Sequence, residues 1–164
     1  TLIERETAMT DQSTANQTIF EELRQDHQIQ RELLDRLAET SGSEQVRQQD
    51  FERLKAELTN HAAAEEKHFY AQLMTVNLTQ EKARHSVAEH HDIDEQVELL
   101  DNTDFSSPQW LPRLKDLKHL VTHHLDEEEQ EVFQMAGKAL TDQQKAEFGD
   151  HYRHEMSRWR RPAS

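Results

Sequence analysis

The chain has no cysteine, which excludes thiolate catalysis, disulfides and any zinc or iron–sulfur site built on thiolates. Glycine and proline number 3 each in 164 residues, too few turn-formers to punctuate a many-stranded sheet. No apolar run approaches the roughly 18 residues that would mark a membrane span. Positive charge is in the minority: 19 Lys and Arg stand against 33 Asp and Glu, a formal net charge of −14. That balance speaks against a nucleic acid or an anionic membrane as partner. Residues 1–17 lack the basic-then-apolar order of a signal peptide, so a cytoplasmic location is expected. Thr1 to Ala8 precede Met9 and could be a leader remnant.

Helix-favouring Glu, Gln, Leu, Ala, Lys and Arg dominate what is present. The length suits one domain with a single core. At 32% charged residues and a mean hydropathy of −1.04, disorder is the bland expectation. Regular apolar periodicity through the middle of the chain argues against it. Thr18-Ile19-Phe20-Glu21 reads as a capping box opening helix 1 over about 18–40, closed by Ser41-Gly42. Ser43 is placed to cap helix 2, which fades near Val76-Asn77, and Thr79 to cap helix 3, which runs to Asp101-Asn102. Ser107-Pro108 puts proline at a helix start, and helix 4 runs to Gly137, with Pro112 leaving its first turn open. Thr141-Asp142-Gln143-Gln144 is a second capping box for a shorter helix 5 ending before Pro162. The expected fold is all-α, an up-down-up-down four-helix bundle with a short fifth C-terminal helix across an end or flank.

One histidine spacing occurs twice. His27 lies 34 residues before His61, and His90 lies 34 residues before His124. The second histidine of each pair is followed four residues later by Glu65 or Glu128, with Glu66 or Glu129 next. Counting back three, seven and ten from His61 gives Leu58, Leu54 and Phe51; the same steps from His124 give Val121, Leu117 and Leu114. Those steps return to one side of a helix, so both histidines continue an apolar core stripe. Phe69-Tyr70 and Val132-Phe133 follow each histidine at the same distance. In helices 1 and 3, His27 is followed by Leu34 and Leu37, and His90 by Val97 and Leu100, with Asp26 and Glu89 preceding them.

Most histidines in an acidic helical chain belong on its surface, and His68, His85, His91, His119, His123, His151 and His154 are expected there. Four on the core stripes of four helices, with two carboxylates, are costly to bury without a cation. His27, His61, Glu65, His90, His124 and Glu128 are therefore the candidate metal ligands. Imidazole suits iron, zinc, copper and nickel, and a carboxylate can bridge two ions. His123, beside His124, is a further candidate, and His119 with His123 makes a possible pair that points off the stripe. The repeat favours His90 over His91 and His124 over His123.

These residues resemble the hemerythrin-like, or HHE cation-binding, family. The matching pieces are Asp26-His27, His61-Ala-Ala-Ala-Glu65-Glu66 ending in Phe69-Tyr70, Glu89-His90, and His124-Leu-Asp-Glu-Glu128-Glu129 ending in Val132-Phe133, over roughly residues 18–136. The resemblance implies a four-helix bundle holding two non-heme, carboxylate-bridged iron ions, with Glu65 and Glu128 as bridges. It implies a small diatomic ligand or peroxide as partner and a role in oxygen, nitric oxide or peroxide binding or sensing, or in iron handling. Oxygen-carrying members have a second helix 3 histidine where Asp94 stands, and His-xxxx-Asp in helix 4 where this chain has His-xxx-Glu. Set against that pattern, Asp94, one turn beyond His90, is a further candidate ligand or leaves a position to water, and the departure argues against a dedicated oxygen carrier.

The expected organisation is a flexible segment 1–17, the hemerythrin-like bundle 18–136, and helix 5 with a tail over 137–164. No catalytic residue is singled out. Two other functions stay open: a di-iron oxidase, peroxidase or ferroxidase, and an interaction bundle with structural zinc or no metal. Ferritin-like enzymes use two Glu-x-x-His motifs. This chain offers one, Glu65-Glu66-Lys67-His68, with no partner in the other half.

Overall fold

The computed structural model describes residues 17–160. The segment 1–17 lies outside them except for Gln17, as does the chain beyond Arg160. Helix α1 is Ile19–Ala38, with the Thr18 hydroxyl accepting from the Glu21 amide at 3.5 Å. Helix α2 covers 45–73, as an α-helix Gln45–Glu65, a π-helical turn Glu66–Tyr70 and a last turn Ala71–Leu73. Helix α3 is Gln80–Asp101. Helix α4 covers 110–139, again with a π-helical turn, Glu128–Val132, between Trp110–Glu127 and Phe133–Ala139. Helix α5 is Asp142–Arg160. Among the described residues there is no strand, and no helix is long and apolar enough to cross a membrane.

Two helix starts differ from the sequence expectation, and a third, at Thr79, keeps its cap residue but not the side-chain cap bond. Glu44 rather than Ser43 stands at the α2 cap, and its carboxylate accepts from the Ser41 hydroxyl at 2.7 Å instead of capping. The Thr79 hydroxyl donates back to the Leu73 carbonyl at 2.7 Å, so it closes the preceding turn. Helix α4 begins at Trp110, two residues after Pro108, because Ser107 Oγ accepts from the Gln109 amide and holds a turn there. The Thr141 box forms in both directions: Gln144 N donates to Thr141 Oγ1 at 3.1 Å, and Thr141 N donates to Gln144 Oε1 at 2.9 Å. Gly42 adopts φ +58° in the α1–α2 turn, a left-handed conformation that glycine takes without a Cβ penalty.

The buried apolar residues form two clusters, and their order along each helix sets the topology. One cluster holds Leu33, Leu34 and Leu37 of α1, Phe51, Leu54 and Leu58 of α2, Ile93, Val97 and Leu100 of α3, and Trp110, Leu114, Leu117 and Val121 of α4. The other holds Ile19 and Leu23 of α1, Phe69, Tyr70 and Leu73 of α2, Ala83 of α3, Val132, Phe133 and Ala136 of α4, and Tyr152 and Met156 of α5. Helices α1 and α3 run from the second cluster to the first, and α2 and α4 run back, so neighbours are antiparallel. Each fully buried Leu or Phe contributes about 1.5–3 kcal/mol. Between the clusters lies one polar layer, crossed once by each of the four helices.

Helix α5 lies along the flank formed by α1 and α2. A Cβ on Gly149 would meet the Gln17 carbonyl oxygen and the Ile19 amide nitrogen at 2.8 Å, so the absence of a side chain sets how closely α5 approaches the start of α1. Tyr152 is 1% exposed and Trp159 is 59% exposed, so these two of the three aromatics of α5 have separate roles, one in the core and one on the surface.

Candidate metal centre

The polar layer brings together His27 of α1, His61 and Glu65 of α2, His90 of α3, and His124 and Glu128 of α4, all buried. Their atoms form two groups. In the first, His27, His61, Glu65 and Glu128 each offer one ligand atom, and these lie within 4.8 Å of one another; in the second, His90 and His124 join the same two carboxylates. Each carboxylate divides its oxygens between the groups. Glu65 Oε2 lies 3.3 Å from His61 Nε2 and 3.8 Å from His27 Nε2, while its Oε1 lies 3.1 Å from His90 Nε2. Glu128 Oε1 lies 3.2 Å from His27 Nε2, and its Oε2 lies 3.2 Å from His124 Nε2. Both carboxylates thus stand between one pair of histidines and the other.

Asp94 and His123 stand outside both groups. Asp94 is exposed at the mouth of a small cavity beside the histidines. His123 faces solvent and pairs with Glu127 at 3.4 Å. His91 is exposed and pairs with Glu95 at 3.3 Å, one turn along its own helix.

All four histidines are oriented from behind through Nδ1. His27 Nδ1 lies 3.0 Å from Glu129 Oε1, His90 Nδ1 lies 2.9 Å from Glu66 Oε1, and His124 Nδ1 lies 3.0 Å from Glu89 Oε1. Each Nδ1–H donates to its carboxylate, which turns Nε2 into the layer and raises the basicity of that nitrogen. His61 differs: its Nδ1 lies 2.6 Å from the Tyr152 hydroxyl of α5, which donates in turn to Asp26 Oδ2. Asp26 Oδ1 accepts from Arg160 Nη2 at 2.7 Å, and Arg160 also holds Glu57. Tyr70 donates to Glu128 Oε2 at 2.6 Å.

One π turn starts directly after Glu65 and the other at Glu128. Ala71 N–H bonds to Glu66 O and Phe133 N–H to Glu128 O, five residues back rather than four. The widened turn lets adjacent residues face inward, so Phe69 and Tyr70 are both buried, as are Val132 and Phe133. Such turns are frequent at functional sites.

The charges in the layer are coupled. Burial disfavours charge on every member. Hydrogen bonds to Glu128, Glu129 and Glu65 outweigh this at His27 and raise its pKa well above the usual range. His90 rises to about 10 and His124 to about 9, each against the cost of burial and chiefly through bonds to carboxylates. Glu65 is held well below the carboxylate range because the histidines around it outweigh its desolvation. Glu129 falls to about 2, its burial outweighed by bonds from His27 and Arg31. Burial and the Glu128 charge push the Tyr70 hydroxyl well up, and burial and Asp26 do the same at Tyr152, so both remain proton donors at neutral pH.

Whether these residues fit cations is tested by their unmet bonds. His27 Nε2, His61 Nε2, His90 Nε2, His124 Nε2, both Glu65 oxygens and Glu128 Oε1 are buried without a well-aligned hydrogen-bond partner. Native interiors tolerate few such atoms. In this layer they converge on two points, and the donor set of imidazole and carboxylate is one that divalent transition metals take. The residues fit a bound cation. Beside them lies a cavity of about 10 Å³, lined by Gln30, Leu58, His61, Ala62, His90, Ile93, Asp94 and His124. That is room for about one water-sized molecule.

In the sequence, Asp26, Glu66, Glu89 and Glu129 stand out only as repeated offsets, and nothing there gives them a role as histidine partners. Gln30 and the Tyr70 and Tyr152 hydroxyls are likewise missed. The one signal for Tyr152 is a buried stripe of α5, Gly149, Tyr152 and Met156, at three- and four-residue steps.

A helical bundle crossed by a buried histidine–carboxylate layer is the architecture of a cation-binding domain. The family described as the hemerythrin HHE cation binding domain matches residues 18–136, and the chain belongs to it. Among solved structures, the chain is similar to a hemerythrin HHE cation binding domain-containing protein from Mycobacterium kansasii, with a TM-score of 0.79, 24% identity, and 87% of each chain covered. No curated protein matches the chain.

Proposed function

We propose that this protein holds two non-heme iron ions in the polar layer and uses them to bind or sense oxygen, nitric oxide or peroxide, or to handle iron. One observation carries the reading: two four-residue groups of buried ligand atoms share the carboxylates of Glu65 and Glu128. His27 and His61 would hold one ion, His90 and His124 the other, and the two glutamates both. Bound iron would supply the redox-active centre at which a small diatomic or peroxide reacts. The chain's own residues hold Nε2 of each histidine inward, keep Glu65 ionised, and surround the layer with apolar side chains that exclude bulk water. The small cavity against His61, His90 and His124 favours a ligand of a few atoms over an organic substrate.

The test is elemental analysis of protein expressed without added zinc, combined with optical spectra under argon, oxygen and nitric oxide. Two irons per chain and a near-ultraviolet charge-transfer band that changes with the gas support the reading. Zinc in their place, or spectra indifferent to the gas, refutes it.

A further inference from the structure

The two halves of the layer are related by an offset of 63 residues, which carries His27 to His90, His61 to His124, Glu65 to Glu128 and Asp26 to Glu89. The relation extends to the groups behind the histidines. His27 of α1 is held by Glu129 of α4, and His90 of α3 by Glu66 of α2, one offset apart. His124 is held directly by Glu89. Its counterpart should be His61 held by Asp26, but the Tyr152 hydroxyl stands between them, 2.6 Å from His61 Nδ1 and donating to Asp26. The molecule thus contains its own control: three direct contacts to carboxylates and one that is routed through α5.

We propose that Tyr152 is a positioning residue that makes α5 a part of the cation centre, so that the His27–His61 position depends on α5 being docked while the His90–His124 position does not. The proposal rests on the two-cation reading above. A phenol both accepts from His61 and donates to Asp26, so it fixes the imidazole only while α5 is seated. The seat is specific. Gly149, one turn before Tyr152, meets the chain at Gln17 to Ile19 too closely to admit a Cβ. At the far end of α5, Arg160 bonds Asp26 at 2.7 Å and Glu57 at 2.8 Å, clamping the helix to α1 and α2. No residue of α5 reaches the histidines of the other position in this way among the described residues. The consequence is two inequivalent cation positions, one of them mechanically tied to a helix outside the four-helix bundle.

The experiment is titration of the metal-free full chain with zinc(II), wild type against Tyr152→Phe, read by chelator competition and by nitrogen-15 spectra of the histidine side chains. Loss of an orienting partner weakens metal binding by about 10- to 100-fold. The expected result is that Y152F weakens one zinc by that factor and leaves the other unchanged, with His27 and His61 the late-filling pair. Glu89→Gln should reverse the pattern, with His124 late. A second readout needs no variant: zinc loading of the wild type should slow amide hydrogen exchange in α5 together with α1 and α2. Wild type that takes up two zinc ions, with both affinities unaltered or equally lowered in Y152F, overturns the proposal, as does an α5 whose exchange ignores zinc. Wild type that takes up no zinc overturns the two-cation reading itself.

Discussion

Loading the centre should expel protons, and the number can be worked from the structure. In the metal-free protein the carboxylates of the layer are compensated by imidazolium protons: His27 is raised well above its usual pKa, His90 to about 10 and His124 to about 9. At pH 7.5 His90 and His124 are therefore mostly protonated and His27 is biased the same way, while metal ligation requires each Nε2 to be bare. Two divalent cations should then release at least about two protons per chain from these histidines, and the overall binding constant should rise by at least about two decades per pH unit up to about pH 9. Calorimetry in buffers of different ionisation enthalpy counts the protons, and chelator competition at several pH values gives the slope. Stability of the metal-free protein should run the opposite way. A histidine raised from 6.5 to about 10 stabilises the fold fully below pH 6.5, and that contribution is lost as pH climbs towards 10. Glu129, lowered from 4.5 to about 2, contributes above pH 4.5 and loses its effect as pH falls towards 2. Metal-free stability should be greatest at about pH 4.5–6.5 and decline through pH 9 while metal affinity climbs. Loading that releases no protons, or metal-free stability that rises from pH 7 to pH 9, refutes the ion-paired layer.

Tyr70→Phe removes the donor to Glu128 Oε2 and should cost the metal-free protein about 1.5–3 kcal/mol in denaturant unfolding; an unchanged midpoint would contradict that bond. Gly149→Ala forces α5 away from the backbone at Gln17 to Ile19 and should cost about 1–3 kcal/mol, seen as a drop in Tm of about 2–4 °C for each kcal/mol. A Tm equal to that of the wild type would mean that the approach is slack. Gln30 is buried at the cavity with its amide nitrogen unpaired, so Gln30→Leu should leave metal-free stability equal or higher. A loss of more than about 1 kcal/mol would show that the amide has a partner after all.

Much of the fold is legible in the sequence because a buried face imposes period on a helix. The apolar steps before His61 and His124 are all in the core, and the same periodicity separates His90 from His91 and His124 from His123. Glu65 and Glu128, one turn beyond their histidines on the same face, follow from it too. Two things are hidden for physical reasons. A π turn adds one residue to a turn and leaves composition unchanged, so burial of Phe69 with Tyr70 carries its trace without declaring it. Tyr152 reaches the layer from a fifth helix, and its role depends on docking at Gly149, a tertiary contact that no single helix encodes. Asp94, the expected mark of departure from the oxygen-carrier pattern, stands at the cavity mouth rather than among the ligand atoms. The internal difference between the two halves lies instead at Tyr152 and at Tyr70, whose counterpart one offset on is Phe133 and lacks a hydroxyl.

The most direct test is anomalous diffraction from crystals of iron-loaded protein, recorded on both sides of the iron absorption edge. Two iron peaks are expected within the polar layer, one against His27 and His61 and one against His90 and His124, with Glu65 and Glu128 each touching both. A single peak, peaks that lack the iron edge, or carboxylates that each serve only one ion would contradict the two-iron reading.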